Sequence, residues 1–342
     1  MATSSPLFLS FSLLLSLALV LLLAPRLLSP KTLPPIPAAN ELQDLALFRR
    51  ATLSSSSNHS SSDLHSSPPK IAFLFLTNSD LSFSPLWELF FSSHSSLFNV
   101  YVHADPSTHL LLPQTPSFRH RFIPSQPTSR SSPTLISAAR RLLAAALLDD
   151  PLNSFFALLS QHCIPLNPFP SLYHSLLSQR PLKSFIEILA DEPGLRARYV
   201  ARGDLAMLPE VPFPQFRVGS QFFVLTRRHA LLVVRDRRLW KKFRLPCFKS
   251  RESSCYPEEH YFPTLLSMRD PAGCSGYTLT RVNWTESVDG HPHLYGPGEV
   301  SADLIRTLRK SNSSYEYMFA RKFSPACLEP LMELANTVIL KD

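Results

Sequence analysis

The chain has 342 residues, enough for one large domain or two small ones with a full core. Its 32 Pro against 8 Gly predict stiff loops, and a formal net charge of +8 suits anionic partners such as nucleic acid, a membrane surface or a phosphorylated substrate. Zinc-ligand spacing, a C-x-x-C pair, an aromatic-basic RNA-binding module and a Gly-rich phosphate loop are all missing, which weighs against metal knuckles, thioredoxin-like chemistry, nucleic-acid binding, hydride transfer and ATP hydrolysis.

Residues 7–23 form an apolar run broken only by Ser10, Ser12 and Ser16 and closed by Pro25 and Arg26, at the short end of what spans a bilayer. An uncleaved membrane anchor and a cleaved signal peptide both fit. The anchor is favoured, because no Lys or Arg precedes the run and Leu22 stands where cleavage after Ala24 would want a small residue. Arg26, Lys31, Arg49 and Arg50 would hold the following chain in the cytosol by the positive-inside rule. N-glycosylation sequons at Asn58, Asn283 and Asn312 point to the opposite side. Residues 30–69 turn Pro-rich and then Ser-rich, with little to bury, and predict an extended spacer holding one short helix over 41–53. The expected division is an anchor over 1–24, a stem over 25–69 and a globular body over 70–342.

The body opens on Ile71-Ala72-Phe73-Leu74-Phe75-Leu76-Thr77, a continuous apolar run that predicts a buried, parallel strand. A helix over 84–91 follows, with Pro85 in its first turn, and then a strand over 98–103. That strand delivers Asp105 to its C-terminal end, where open α/β sheets hold nucleotides; Asp105 fits a ribose or base contact, and equally a turn or helix cap. An amphipathic helix over 134–148, a buried strand over 154–160 and a helix over 171–177 come next. A strand over 184–188 carries the lone acid Glu187, either a ligand contact or an outward-facing strand residue.

A turn around Gly219 feeds a further strand ending at Thr226. The cations between Arg227 and Arg251 alternate with Leu231, Leu232, Val234 and Leu239 and read as the solvated face of a helix. Then Glu258, Glu259 and His260 stand together between Pro257 and Pro263. A carboxylate held on such a turn acts as a general base if a cleft partly desolvates it; a solvated acidic turn is the alternative. Of five Cys, Cys247 with Cys255 or Cys274 are the nearest disulfide options, and the odd count leaves a thiol over. A late strand over 277–284, His291-Pro292-His293 and a helix over 301–310 lead to Arg321-Lys322. These cations between aromatics suit a diphosphate, or form an exposed basic turn.

The ordered series IAFLFLT, SPLWELFF, FNVYVHADPS, LLSQHCIPL, SFIE, FRVGSQFF, CYPEEHYFPT, LTRVNW and FARKFSP resembles the plant glycosyltransferase family related to the core-2/I-branching β-1,6-N-acetylglucosaminyltransferases, over residues 70–330. The resemblance implies an α/β, GT-A-like (Rossmann-like) mixed sheet flanked by helices, in a single-pass type II protein of the Golgi membrane. It implies an inverting, metal-independent enzyme, a hexosyl- or acetylglucosaminyltransferase that moves GlcNAc or a related sugar from a UDP-sugar donor to a hydroxyl of a glycan or glycoprotein acceptor, with no cofactor and no nucleic-acid partner. Glu259 becomes the catalytic base, Arg321 and Lys322 the nucleotide-sugar-binding cations and Asp105 a nucleotide contact, while Glu187 and Trp284 become acceptor contacts. The chain departs from the family pattern at Glu258 (usually Asp), Phe222 (Trp), Asn283 (Asp) and Ala139 (Glu), and residues 128–133 lack a Trp-Gly. For the family's second diphosphate cation, His293, Arg281, Arg306 and Arg309 are the candidates. The missing helix acid motivates an alternative, a catalytically weakened scaffold that binds glycans or a partner enzyme. A soluble secreted glycan-binding protein follows if residues 7–23 are cleaved.

Overall fold

The computed structural model describes residues 12–20, 37–54, 67–248, 255–285, 287 and 290–341. The chain separates into two units, Met1–Pro35 and Ile36–Asp342. In the first, residues 12–20 are helical. Among the described residues no helix is long and apolar enough to cross a membrane, and the rest of the 7–23 run expected as an anchor lies outside them.

The strands of the second unit are β1 (Lys70–Thr77), β2 (Phe98–Ala104), β3 (Asn153–Ser160), β4 (Ile164–Pro165), β5 (Ser184–Glu187), β6 (Val224–Thr226), β7 (Cys274–Gly276), β8 (Thr280–Val282) and β9 (Phe319–Arg321). They form a six-stranded mixed sheet in the order β2-β1-β3-β6-β5-β7 and a three-stranded sheet in the order β4-β9-β8. β1 is parallel to both its neighbours, and β6 runs antiparallel to β3 and β5. Along β1, Ile71, Phe73 and Phe75 enter one apolar cluster with Trp87, Phe91 and Phe319. Ala72, Leu74 and Leu76 enter the other, with Leu142 and Phe156. Successive side chains point to opposite faces, so a strand covered on both sides needs an unbroken apolar run.

The helices supply the covers. They include α1 (Glu41–Ser54), α2 (Ser84–Phe91), α3 (Pro133–Asp149), α4 (Phe169–Leu177), α5 (Leu195–Arg202), α6 (Arg227–Arg235), α7 (Arg238–Phe243), α8 (Glu258–Arg269), α9 (Ala302–Arg309) and α10 (Leu328–Leu334). α2, with Pro85 in its first turn, packs Leu86, Trp87 and Phe90 into the first cluster. α3 starts where the Ser132 hydroxyl accepts the Thr134 N–H at 3.1 Å, and packs Ile136, Leu142 and Leu143 into the second.

Three expectations are corrected. The body does not begin at residue 70. Ala39 N–H donates to the Ser125 carbonyl at 2.7 Å, and α1, expected within the spacer, lays Ala51 fully buried against α3 and α6. Asp44 of α1 pairs with the buried Arg141 of α3 at 2.5 Å. The short apolar stripe of Leu47, Phe48 and Ala51 was masked by the Pro and Ser around it.

The basic run is not one helix but two, because Asp236 interrupts it. Its carboxylate accepts the N–H groups of Arg238, Leu239 and Trp240 and so starts α7. Nor are all its cations solvated: Arg227 donates to the carbonyls of Leu147 in the last turn of α3, of Asp150 just after it and of Asn153 at the start of β3. Residues 249–254 lie outside the described residues. The late strand expected over 277–284 shrinks to β8, which leaves the main sheet to pair with β9.

Candidate active site

Thr77, Ala104 and Ser160 end β1, β2 and β3 along one edge of the sheet. The crevice outside such carboxyl ends is where open α/β sheets bind ligands. A cavity of about 1000 Å³ opens there, with Thr77 and Gln161 on one wall and Glu187, Glu258, Glu259, Trp284, Arg321 and Lys322 around it. Glu259 and Lys322, far apart in sequence, thus share one cavity.

The acidic stretch is not a turn but the first turn of α8. Pro263 lies inside that helix and has no N–H to give the carbonyl four residues back, which belongs to Glu259. The freed carbonyl accepts the Gly219 N–H instead, at 2.9 Å. One turn on, Thr264 Oγ accepts the Arg217 N–H at 3.0 Å. His260 Nδ1 meets the Arg217 carbonyl at 2.8 Å. Gly219 is required here because a Cβ would collide with the Glu187 carbonyl. The Ser220 N–H then binds the Glu187 carboxylate at 3.0 Å. So β5, the Gly219 turn and α8 are stitched into one frame that holds Glu187 beside Glu259.

Glu259 Oε2 is held by Arg198 of α5 at 2.6 Å, which leaves Oε1 to the cavity. Glu258 is 5% exposed. Its Oε1 accepts the Ser131 N–H at 3.1 Å, and its Oε2 has no hydrogen-bond partner among the described residues. Burial pushes its pKa up to about 7; the Glu259 charge adds to this, while the Ser131 bond and Arg130 oppose it. Glu187 is also raised, by burial and by the charges of Glu192 and Glu259, against the Ser220 bond. His260 is fully buried against Phe216, and burial lowers it to about 3, so it is a neutral structural group.

Also lining the cavity, Arg321 lies over the Phe222 ring at 4.2 Å, and its Nε has no acceptor among the described residues. Lys322 follows, its pKa lowered first by burial and then by the nearby charges of Arg321 and Arg130. Like charges drawn together beside a cavity make a site for an anion. The alternative of an exposed basic turn does not hold for Arg321.

Asp105 lies elsewhere than expected. It is 2% exposed, with one oxygen bound by Ser107 and the other by the N–H and hydroxyl of Thr128. Burial works against its charge, yet these bonds outweigh burial and lower its pKa. Asp105 is absent from the cavity wall; it anchors Thr128, which is on it. Trp284, 53% exposed, lines the cavity. Asn283 sits next to it, Asn312 is exposed, and Asn58 lies outside the described residues.

None of the expected second cations reaches the cavity. Arg306 pairs with Asp303 and His293 with Glu299. Arg309 is spent on the carbonyls of Leu166, Val338 and Ile339, and Arg281 lies over Tyr317. Arg198, of the Arg198-Tyr199 pair in the family-like series, and Arg130, which the sequence did not mark out, are the additional cations lining the cavity. Ala138 and Ala139 are packed into the core, so α3 presents no acid at that position. Cys247 pairs with Cys255, one of the expected options, just ahead of α8. Among the described residues no group of three or more His, Cys, Asp or Glu is placed to hold a metal ion.

A family model described as Core-2/I-Branching enzyme matches residues 71–309. Glycosyltransferase BC10 of rice (Oryza sativa subsp. japonica) is 28% identical over 314 residues, covering 78% of this chain and 76% of the rice protein.

Proposed function

We propose, from the premise that this chain belongs to the Core-2/I-branching enzyme family and is a glycosyltransferase, that it transfers a sugar from a UDP donor to a glycan hydroxyl with inversion and without a metal. Glu259 takes the acceptor's proton through Oε1 as the acceptor oxygen forms its bond to the anomeric carbon. The bond from that carbon to the diphosphate oxygen breaks on the opposite face, and the electron pair leaves with UDP. Arg198 orients the base by holding its other oxygen. Lys322 and Arg321 meet the charge that grows on the leaving diphosphate, as fixed cations already in place before the bond breaks. Glu187 and Trp284 flank the acceptor sugar. The donor is UDP-GlcNAc or a related UDP-sugar, the surrounding architecture is GT-A-like, and the setting is the Golgi membrane with a type II orientation.

The observation that carries this reading is that one cavity is lined both by a carboxylate with one oxygen unpaired among the described residues and by the cations Arg321 and Lys322. Glu259→Gln tests it with the purified protein and a panel of UDP-sugars. Turnover falls by about 10²-fold or more while UDP binding is kept, the usual worth of a general base. EDTA leaves turnover unchanged. Equal turnover by the Gln variant, or inhibition by EDTA that manganese reverses, sinks the mechanism; complementation of a null mutant by Glu259→Gln favours the scaffold role.

A further inference from the structure

We propose that His162 binds a hydroxyl of the nucleotide sugar through Nε2, accepting its hydrogen beside the cations that meet the diphosphate. This rests on the reading of the cavity as a nucleotide-sugar site and adds to it a residue that neither the proton transfer nor the departing diphosphate requires.

His162 stands on the loop that leaves β3, half-buried and lining the cavity. The loop is held from several sides. The His162 N–H donates to Ser160 Oγ at 3.3 Å, and the His162 carbonyl accepts the Phe323 N–H at 3.2 Å. Gln161 Nε2 donates to Asn78 Oδ1, just beyond β1, at 2.8 Å. The imidazole adds its own tie, since Nδ1 meets the Phe323 carbonyl at 2.9 Å. Phe323 directly follows Lys322, so the ring is fastened to the segment that carries Arg321 and Lys322. A ring held in place before any ligand arrives lowers the ordering cost of binding.

The tie also decides what the ring can offer. A carbonyl oxygen has no proton to give, so Nδ1 carries the hydrogen and Nε2 of the neutral ring keeps its lone pair. Burial first, and then the charges of Lys322 and Arg321, lower the His162 pKa against the Phe323 bond and favour that neutral form. Nε2 has no hydrogen-bond partner among the described residues, and it is not sealed inside the protein as the unpaired Nε2 of His260 is. A group that meets this lone pair must bring a hydrogen. The diphosphate oxygens of a nucleotide sugar carry none at neutral pH, and they belong with the cations. The parts on either side of the diphosphate, the ribose and the transferred sugar, both present hydroxyls.

Calorimetry on the purified full chain tests this with UDP, UDP-GlcNAc and inorganic pyrophosphate as probes. Two variants separate the two edges of the ring. His162→Asn keeps a side-chain N–H for the Phe323 carbonyl but puts no atom where Nε2 stood, whereas His162→Gln is long enough to bring an amide oxygen there. His162→Asn weakens UDP-GlcNAc by about 3-fold to 10-fold, the range for one neutral hydrogen bond, and leaves pyrophosphate unchanged; His162→Gln recovers part of the loss. An equal loss for UDP assigns the hydroxyl to the ribose, and a loss for UDP-GlcNAc with UDP unchanged assigns it to the transferred sugar. If the unaltered chain binds both nucleotides and His162→Asn binds both within twofold as well, the role of His162 is overturned while the cavity reading stands. A parallel loss for pyrophosphate also overturns it, because His162 would then act by holding Lys322. If the unaltered chain binds neither UDP nor UDP-GlcNAc, the cavity reading is overturned, and this inference with it.

Discussion

Replacing Glu258 by Gln exposes what the buried acid does to the stability of the fold. The carboxyl titrates near 7 when folded against an ordinary 4.5, chiefly because it is buried. Between those values the folded chain keeps a proton that the unfolded chain has released. The folded state is then favoured by acid, and stability falls as pH rises through that window. At about 1.4 kcal/mol per pH unit, the gap is worth on the order of 3 kcal/mol. Gln keeps an oxygen for the Ser131 N–H and carries no charge at any pH. Glu258→Gln should therefore match the unaltered protein near pH 4.5 and exceed it by on the order of 3 kcal/mol above pH 7. Urea denaturation followed by tryptophan fluorescence at pH 5 and pH 8 reads the difference directly. Parallel stability curves for the two proteins across that range would refute the buried, proton-holding state of Glu258.

Two further substitutions test the frame around the site. Asp44→Ala leaves the Arg141 guanidinium buried without its carboxylate, and should cost about 3–5 kcal/mol in the same denaturation assay; a loss below about 1 kcal/mol would mean α1 is dispensable to the body. Gly219→Ala drives a methyl group into the Glu187 carbonyl, and a displacement on the order of 1 Å at the base should lower turnover by about 10²-fold with circular dichroism unchanged. Turnover near that of the unaltered protein would show that the Gly219 turn does not set the position of Glu259.

The parts of the fold that were legible in sequence are those where one local pattern suffices. β1 is apolar at every position because both its faces are covered, and α3 repeats its apolar residues at helical spacing over 17 residues. The acidic pair and Arg321-Lys322 were legible as chemistry, since adjacent charges in apolar settings are uncommon. What sequence could not supply was partnership. Asp105 looked like a ligand contact because of its place at the end of β2, yet Thr128, 23 residues on, takes its carboxylate. Arg130 gave no signal, since only the folded chain brings it to Gly290, 160 residues away. α1 carried too few apolar residues to announce itself, and its place depends on a buried ion pair with a helix 97 residues distant.

The misreading of α8 shows why prolines near charges resist prediction. Pro257 and Pro263 suggested a turn, and α8 has no polar face to betray a helix, because Tyr261, Phe262, Pro263, Thr264, Leu265 and Leu266 are all buried. A proline within a helix leaves a carbonyl unpaired, and an unpaired buried carbonyl is costly unless another donor finds it. Here the donor is Gly219, whose approach is possible only because it lacks a side chain. The residue that disguised the helix therefore creates the bond that ties the acidic first turn of α8 to the Gly219 turn and, through it, to the Glu187 strand. A break in regular structure, placed one turn after a candidate base and answered by a glycine elsewhere, is itself a sign that the base must be held still.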